Sequence, residues 1–152
     1  MSTIESTTET TAPTTATLRC QFCLSWNRVD VARAADRPKC GSCARPMLLD
    51  RPIRLDDGTF ARTVEGSAVP VLVDFYADWC GPCKAMAPAV DALAAKVQGR
   101  AIVAKVDTDR SPATAQRFDI RAIPTVIVFR GGQEARRQAG AGPLPMLEGL
   151  LE

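Results

Sequence analysis

The feature that most constrains this chain is a pair of cysteines, Cys80 and Cys83, placed between an apolar run and a helix-forming run. Val69 to Tyr76 leads in with the continuous apolar character of a strand covered on both faces. Lys84 to Val97 leads out. A Cys-x-x-Cys at the point where a buried strand hands over to a helix is the pattern of a dithiol redox site. The two thiols sit one helical turn apart, close enough to close a small disulfide ring. The first lies where free N–H groups and the positive end of the helix dipole favour a thiolate.

The sequence holds no histidine. That excludes Ser-His-Asp triads, Cys-His dyads and His-ligated zinc proteases. Any general base near the thiols is then a carboxylate or a lysine, and any metal is held by sulfur or carboxylate. Six cysteines in a short chain could form a secreted disulfide scaffold, but all six fall into Cys-x-x-Cys pairs. The first eighteen residues carry eight threonines, two serines and two glutamates and no Lys or Arg. They lack the basic start and apolar stretch of a secretory signal and the arginines of a presequence. The expectation is a solvated, disordered tail over residues 1–18 and a cytosolic protein with no membrane span.

Cys20 and Cys23 are followed, after sixteen residues, by Cys40 and Cys43. This is the spacing of a structural zinc site: each short pair turns to present two sulfurs, and the loop brings both turns to one tetrahedral ion. Four sulfurs leave no open coordination position, so such a site is structural. Two disulfides or four free thiols are the alternatives. A segment this small, residues 19–47, has little core of its own, and Phe22 and Trp26 are expected to cover it. Residues 48–54, with two basic residues and Pro52, read as a linker, and residues 55–152 as the main domain, whose first strand Ile53 and Leu55 begin.

Within that domain a short helix is expected from Asp57-Gly58-Thr59 to Glu65, and a helix over 83–97 kinked by Pro88. A second buried strand spans Ala101 to Val106, parallel to the first in a βαβ unit. Ser111-Pro112 reads as a cap and first position of another helix. Thr125 to Phe129 forms a further strand, Gly131-Gly132 a hairpin turn into Glu134 to Ala139, and Leu144 to Leu151 a closing helix.

Residues 69–88, VPVLVDFYADWCGPCKAMAP, resemble the active-site segment of the thioredoxin family. Ile123-Pro124-Thr125 resembles its cis-proline loop and Ala104-Lys105-Val106-Asp107 its third strand. With four zinc-type cysteines ahead of it, the chain is similar to the zinc-binding bacterial members of that family. The resemblance implies an α/β thioredoxin fold, a mixed central sheet flanked by helices, preceded by a zinc-ribbon-like module holding Zn2+ on Cys20, Cys23, Cys40 and Cys43. It implies a disulfide reductase in which Cys80 is the nucleophile, exposed and with a lowered pKa, and the more buried Cys83 resolves the mixed disulfide. Asp74 matches the carboxylate that takes the resolving thiol's proton, and Lys105 the lysine that tunes it. The plainer alternatives are a strand-end carboxylate reaching water and an exposed strand lysine. Trp79, Gly81, Pro82, Ile123, Pro124 and Gly140 match positions bordering the substrate. Gly81-Pro82 is the dipeptide of reducing members, which disfavours an oxidase or isomerase. Tyr76 departs from the usual tryptophan.

The partners implied are disulfide-bearing proteins and a thioredoxin reductase supplying electrons from NADPH, with no organic cofactor on the chain itself and a monomeric state. The competing reading is a zinc-ribbon binding module or scaffold with secondary redox activity. Residues 19–54 hold eight Lys/Arg against three Asp. A zinc ion on four thiolates contributes two negative charges, and aromatic residues are sparse, so nucleic acid is a poor match for this surface.

Overall fold

A computed structural model describes residues 12–152. Residues 1–11 of the expected tail lie outside the described residues. Its remainder does not behave as a tail: Thr15–Arg19 is strand β1, paired antiparallel with β2, Trp26–Asp30. The alternation that makes it a strand is carried by Ala16 and Leu18, both buried, between outward threonines.

The loop from β1 to β2 and the loop after a 3-10 turn, Val31–Asp36, have the same bond pattern. In the first, the N–H of Leu24 donates to the Cys20 carbonyl and that of Cys20 to the Ser25 carbonyl. In the second, Ala44 donates to Cys40 and Cys40 to Arg45. Leu24 and Ala44 both adopt the left-handed conformation, at φ 67° and 65°. Each Cys-x-x-Cys thus builds one tight knuckle, and the module contains two of them facing each other.

The main domain is a five-stranded sheet. β3 (Ile53–Leu55), β4 (Val71–Tyr76), β5 (Ile102–Asp107), β6 (Thr125–Arg130) and β7 (Gln133–Ala139) lie in the order β3-β5-β4-β6-β7. β4 and β5 are parallel, as the βαβ spacing predicts, and β3 is parallel to β5; β6 runs antiparallel to β4, and β7 antiparallel to β6. Gly131 and Gly132, at φ 60° and 80°, make the two-residue turn between β6 and β7, which needs positive φ at both places. The helices are α1 (Phe60–Glu65), α2 (Gly81–Lys96), α3 (Pro112–Arg117) and α4 (Leu144–Leu150). Pro88 lies inside α2, which continues past it. Among the described residues no helix is long and apolar enough to cross a membrane.

The start of α3 differs from the sequence expectation. The Ser111 side chain makes no capping bond. Instead the Asp57 carboxylate, far back in the chain, accepts from the N–H groups of Ala113 and Thr114 and from the Thr114 hydroxyl at 2.7–3.2 Å. These bonds hold the Asp57 carboxyl below its usual range, the Thr114 hydroxyl contributing most.

Two apolar layers sandwich the sheet. On one face Leu72, Val103, Val126 and Val128 pack with Met86, Val90 and Leu93 of α2 and Leu147 of α4. On the other, Val73, Phe75, Ile127 and Phe129 meet Phe60 and Val64 of α1, with the rings of Phe60, Phe75, Phe118 and Phe129 at centroid distances of 5.1–6.4 Å. This second layer continues without a break into the N-terminal module through Leu18, Val29, Val31 and Met47. Backbone bonds join the two parts as well: Thr17 N–H to the Gly66 carbonyl at 3.2 Å and Ala68 N–H to that of Thr15 at 2.9 Å. Residues 48–54 are therefore not a free linker. Leu49 is buried in the shared core, and β3 starts at Ile53.

The apolar cover expected of Phe22 and Trp26 also differs. Phe22 is exposed, with the Arg45 guanidinium 4.8 Å over its ring. Trp26 is half-buried beneath Arg62 of α1, 4.2 Å away, so it serves the junction between the two parts.

Candidate active site and metal centre

β4 ends at Tyr76, and the chain turns through Ala77 to Trp79 into Cys80, the N-cap of α2. Cys80 and Cys83 are joined by a disulfide. The backbone N–H of Cys83 points at the Cys80 sulfur, 3.2 Å away, placing that sulfur among the unpaired N–H groups of the first turn. Gly81 and Pro82 occupy the first two helical positions, where a proline's missing N–H costs nothing. The expected contrast between an exposed Cys80 and a more buried Cys83 is absent in this disulfide form: each is 4% exposed. Both pack with Tyr76, Ala77 and Ile123, and that packing withdraws the first sulfur from solvent.

The Ile123–Pro124 peptide is cis, and the Ile123 carbonyl oxygen lies 3.7 Å from the Cys80 sulfur. The Gly140 N–H donates to the Pro124 carbonyl at 2.8 Å, tying the end of β7 to this loop. Gly140 has φ 94° and open space where a Cβ would stand, so its backbone conformation, not crowding, calls for glycine there. Trp79 is 70% exposed, its indole N–H donating to Asp109 at 2.8 Å. The chain thus brings Cys80 and the Ile123–Pro124 loop together, with Gly140 bonded to that loop, while the Trp79 side chain is joined to Asp109.

Strand alternation puts Leu72, Asp74 and Tyr76 on the face covered by α2. Asp74 is 1% exposed, and its Oδ1 has no hydrogen-bond partner. Burial pushes its carboxyl up to about 6, against the pull of Lys105, its cross-strand neighbour. The water-reaching alternative for Asp74 is thereby excluded. Lys105 is half-buried, its ammonium 4.5 Å over the Tyr76 ring.

Sequence reasoning missed Arg54. It pairs with Lys105 across β3 and β5, so Arg54, Lys105 and Asp74 form one row across three strands. Arg54 donates to the Tyr76 hydroxyl at 2.9 Å. A small cleft lined by Arg54, Tyr76, Asp78, Lys84 and Lys105 reaches Cys83. The hydroxyl at position 76, noted only as a departure, was the available signal.

In the N-terminal module the sulfurs of Cys20, Cys23, Cys40 and Cys43 all lie within 4.8 Å of one another. Cys20 and Cys43 approach to 3.7 Å and Cys23 and Cys40 to 3.5 Å. Four sulfurs tetrahedrally placed about 2.3 Å from zinc stand about 3.8 Å apart, so the donor set fits that ion. Backbone N–H groups point at two of them: Phe22 at Cys20 and Ser42 at Cys40, both at 3.4 Å. Hydrogen bonds from the Cys43 backbone, the Asn27 amide and the Ser42 backbone hold the Cys40 thiol below its usual range.

Residues 51–152 match the family profile described as thioredoxin, and residues 19–45 the zinc-ribbon profile described as thioredoxin 2, N-terminal. A thioredoxin 1 of Nostoc sp. is 46% identical over 99 residues, 65% of this chain and 92% of its own length. Thioredoxin C-3 of Corynebacterium nephridii is 38% identical over 122 residues, 80% of this chain and 83% of its own. A chloroplastic M-type thioredoxin of Chlamydomonas reinhardtii is 41% identical over 124 residues, covering 74% and 89%.

Proposed function

Because this chain belongs to the thioredoxin family and carries an N-terminal ribbon of the thioredoxin 2 type, we propose that it is a cytosolic protein-disulfide reductase, recharged with electrons from NADPH by a thioredoxin reductase. The observation that carries the reading is the Cys80–Cys83 disulfide at the first turn of α2, packed against Ile123.

The disulfide is the oxidised end of the cycle, and two electrons and two protons open it. The Cys80 thiolate, favoured by the N–H groups of the first turn, attacks one sulfur of a substrate disulfide. A new S–S bond forms as the substrate's breaks, and its other sulfur leaves as a thiolate. Cys83, once deprotonated, attacks Cys80 in this mixed disulfide, re-forming the ring and releasing the second substrate thiol. Asp74 receives the Cys83 proton, since a carboxyl held near 6 is a usable base at neutral pH. Lys105, beside it, moderates that shift. The Ile123–Pro124 loop, Gly81, Pro82, Gly140 and Trp79 border the substrate, with an extended segment pairing along the loop in the manner of strand addition.

Cys20, Cys23, Cys40 and Cys43 would hold zinc with no open position, so the ion would cross-link the two knuckles and take no part in the reaction. We further expect those thiolates to respond to oxidant. Peroxide at levels that oxidise Cys80 should release zinc, followed with a chromogenic chelator; bound zinc and unreactive thiols at that dose discard the switch. The reductase reading itself is tested by NADPH-coupled reduction of insulin with a thioredoxin reductase. No turnover there, and none when dithiothreitol replaces the reductase, overturns it.

A further inference from the structure

The two knuckles repeat each other's backbone bonds, so what joins them is found among side chains. Asn27, in β2, makes a set of side-chain bonds that links them. Its Oδ1 accepts from the Gly41 N–H at 2.9 Å, inside the second knuckle. Its Nδ2 lies 3.2 Å from the Ser25 carbonyl of the first knuckle, 3.3 Å from the Cys40 sulfur and 3.9 Å from the Met47 sulfur. Apart from the sulfur pairs, these are the side-chain hydrogen bonds among the described residues that join one knuckle to the other. The amide orientation follows from its partners. Reversed, it would set its oxygen against a carbonyl and a thiolate and its NH2 against an N–H.

We propose that Asn27 is a positioning residue for the metal centre: it locks the second knuckle onto the first and directs an N–H at the Cys40 sulfur, so that the four ligands are held in place before an ion binds. The inference rests on the zinc reading above. Half of the ligand set comes from each knuckle, and the loop between them is sixteen residues long. β2 and the buried Val31 and Met47 bring the second knuckle near the first, and the Asn27 bonds remove freedom that remains between them before an ion binds. A second-sphere donor to a ligand also fixes its orientation, and loss of such a partner typically costs 10–100-fold in metal affinity. Each knuckle has its own ends held, the first by β1 and β2 and the second by the Lys39–Pro46 bridge, so the Asn27 bonds act between the knuckles.

The test is chelator competition on the full chain, with zinc stoichiometry measured first. Asn27→Leu should bind zinc about 10–100-fold more weakly than the wild type. Asn27→Asp keeps the acceptor for Gly41 but places a carboxylate against the Cys40 thiolate, and should be weaker still. Gly41→Ala leaves every bond in place, and its Cβ would stand 3.6 Å from Asn27 Oδ1, an ordinary contact, so its affinity should be unchanged. Cobalt-substituted protein supplies a readout that general destabilisation would not move. Loss of the N–H···S bond should shift the sulfur-to-cobalt charge-transfer band in both Asn27 variants and not in Gly41→Ala. Far-UV circular dichroism of each variant reports that the chain is folded, since turnover is expected to persist without the ribbon's metal ligands. Wild-type affinity and an unshifted band in Asn27→Leu overturn the role of Asn27. A wild type that binds no zinc overturns the metal reading beneath it.

Discussion

Cys80→Ser is expected to abolish insulin-disulfide reduction, with either thioredoxin reductase or dithiothreitol as the electron source. Serine keeps nearly the same shape in a site where Cys80 packs with Tyr76, Ala77 and Ile123, so the fold should persist. What is lost is the thiolate. An alcohol is hardly ionised at neutral pH, and it cannot form a mixed disulfide. The contrasting variant is the double change Cys20→Ser/Cys23→Ser, which removes two sulfurs of the ribbon and leaves the dithiol intact. It should retain turnover under conditions where it remains folded. Activity that survives in Cys80→Ser, or that vanishes in a folded double variant, would move the chemistry away from the Cys80–Cys83 pair.

Asp74→Asn should make the oxidised protein more stable at pH 7, by on the order of 2 kcal/mol, while slowing its turnover. The sign follows from the carboxyl's displacement, up to about 6 by burial. Below about pH 4 the group is protonated in both folded and unfolded chains and contributes nothing. Between that pH and about 6 the folded chain binds the extra proton, so stability falls as pH rises. Above about 6 the full cost of a buried carboxylate is present. An amide avoids that cost, although its NH2 would inherit the unpartnered position of Oδ1. Urea denaturation at pH 7 and pH 4 checks the point: a gain at the higher pH that disappears at the lower one is expected. Equal stability of variant and parent at both values would mean that Asp74 is not a charged group under strain. The same variant should lose most turnover near neutrality, where a base for the Cys83 proton matters most.

Much of this was legible in the chain because the relevant signals are local. Continuous apolar runs announced β4, β5 and β6, and the paired glycines announced the hairpin. The cysteine spacing grouped four sulfurs that stand within 4.8 Å of one another. What escaped depends on partners distant in sequence. Thr15 to Leu18 read as part of a threonine-rich tail, because only pairing with Trp26–Asp30 and the core beneath turn that stretch into a strand. Ser111 had the right identity for a cap, yet the Asp57 carboxylate took the place by a contact that no local pattern encodes. Arg54 entered the site through the order of the strands, which brings β3 beside β5, and not through any motif.

The burial of both disulfide cysteines has a consequence for selectivity. Little of either cysteine is open to solvent, so a reagent arriving from bulk has few productive directions of attack, and the rate at which a small thiol such as dithiothreitol opens the ring depends on access as well as on potential. A polypeptide held along the neighbouring loop would meet the pair at a fixed angle, presenting a thiolate to its oxidised form or a disulfide to the Cys80 thiolate of its reduced form. Discrimination between partners then lies in steric admission, and electrons flow along the route that shape permits.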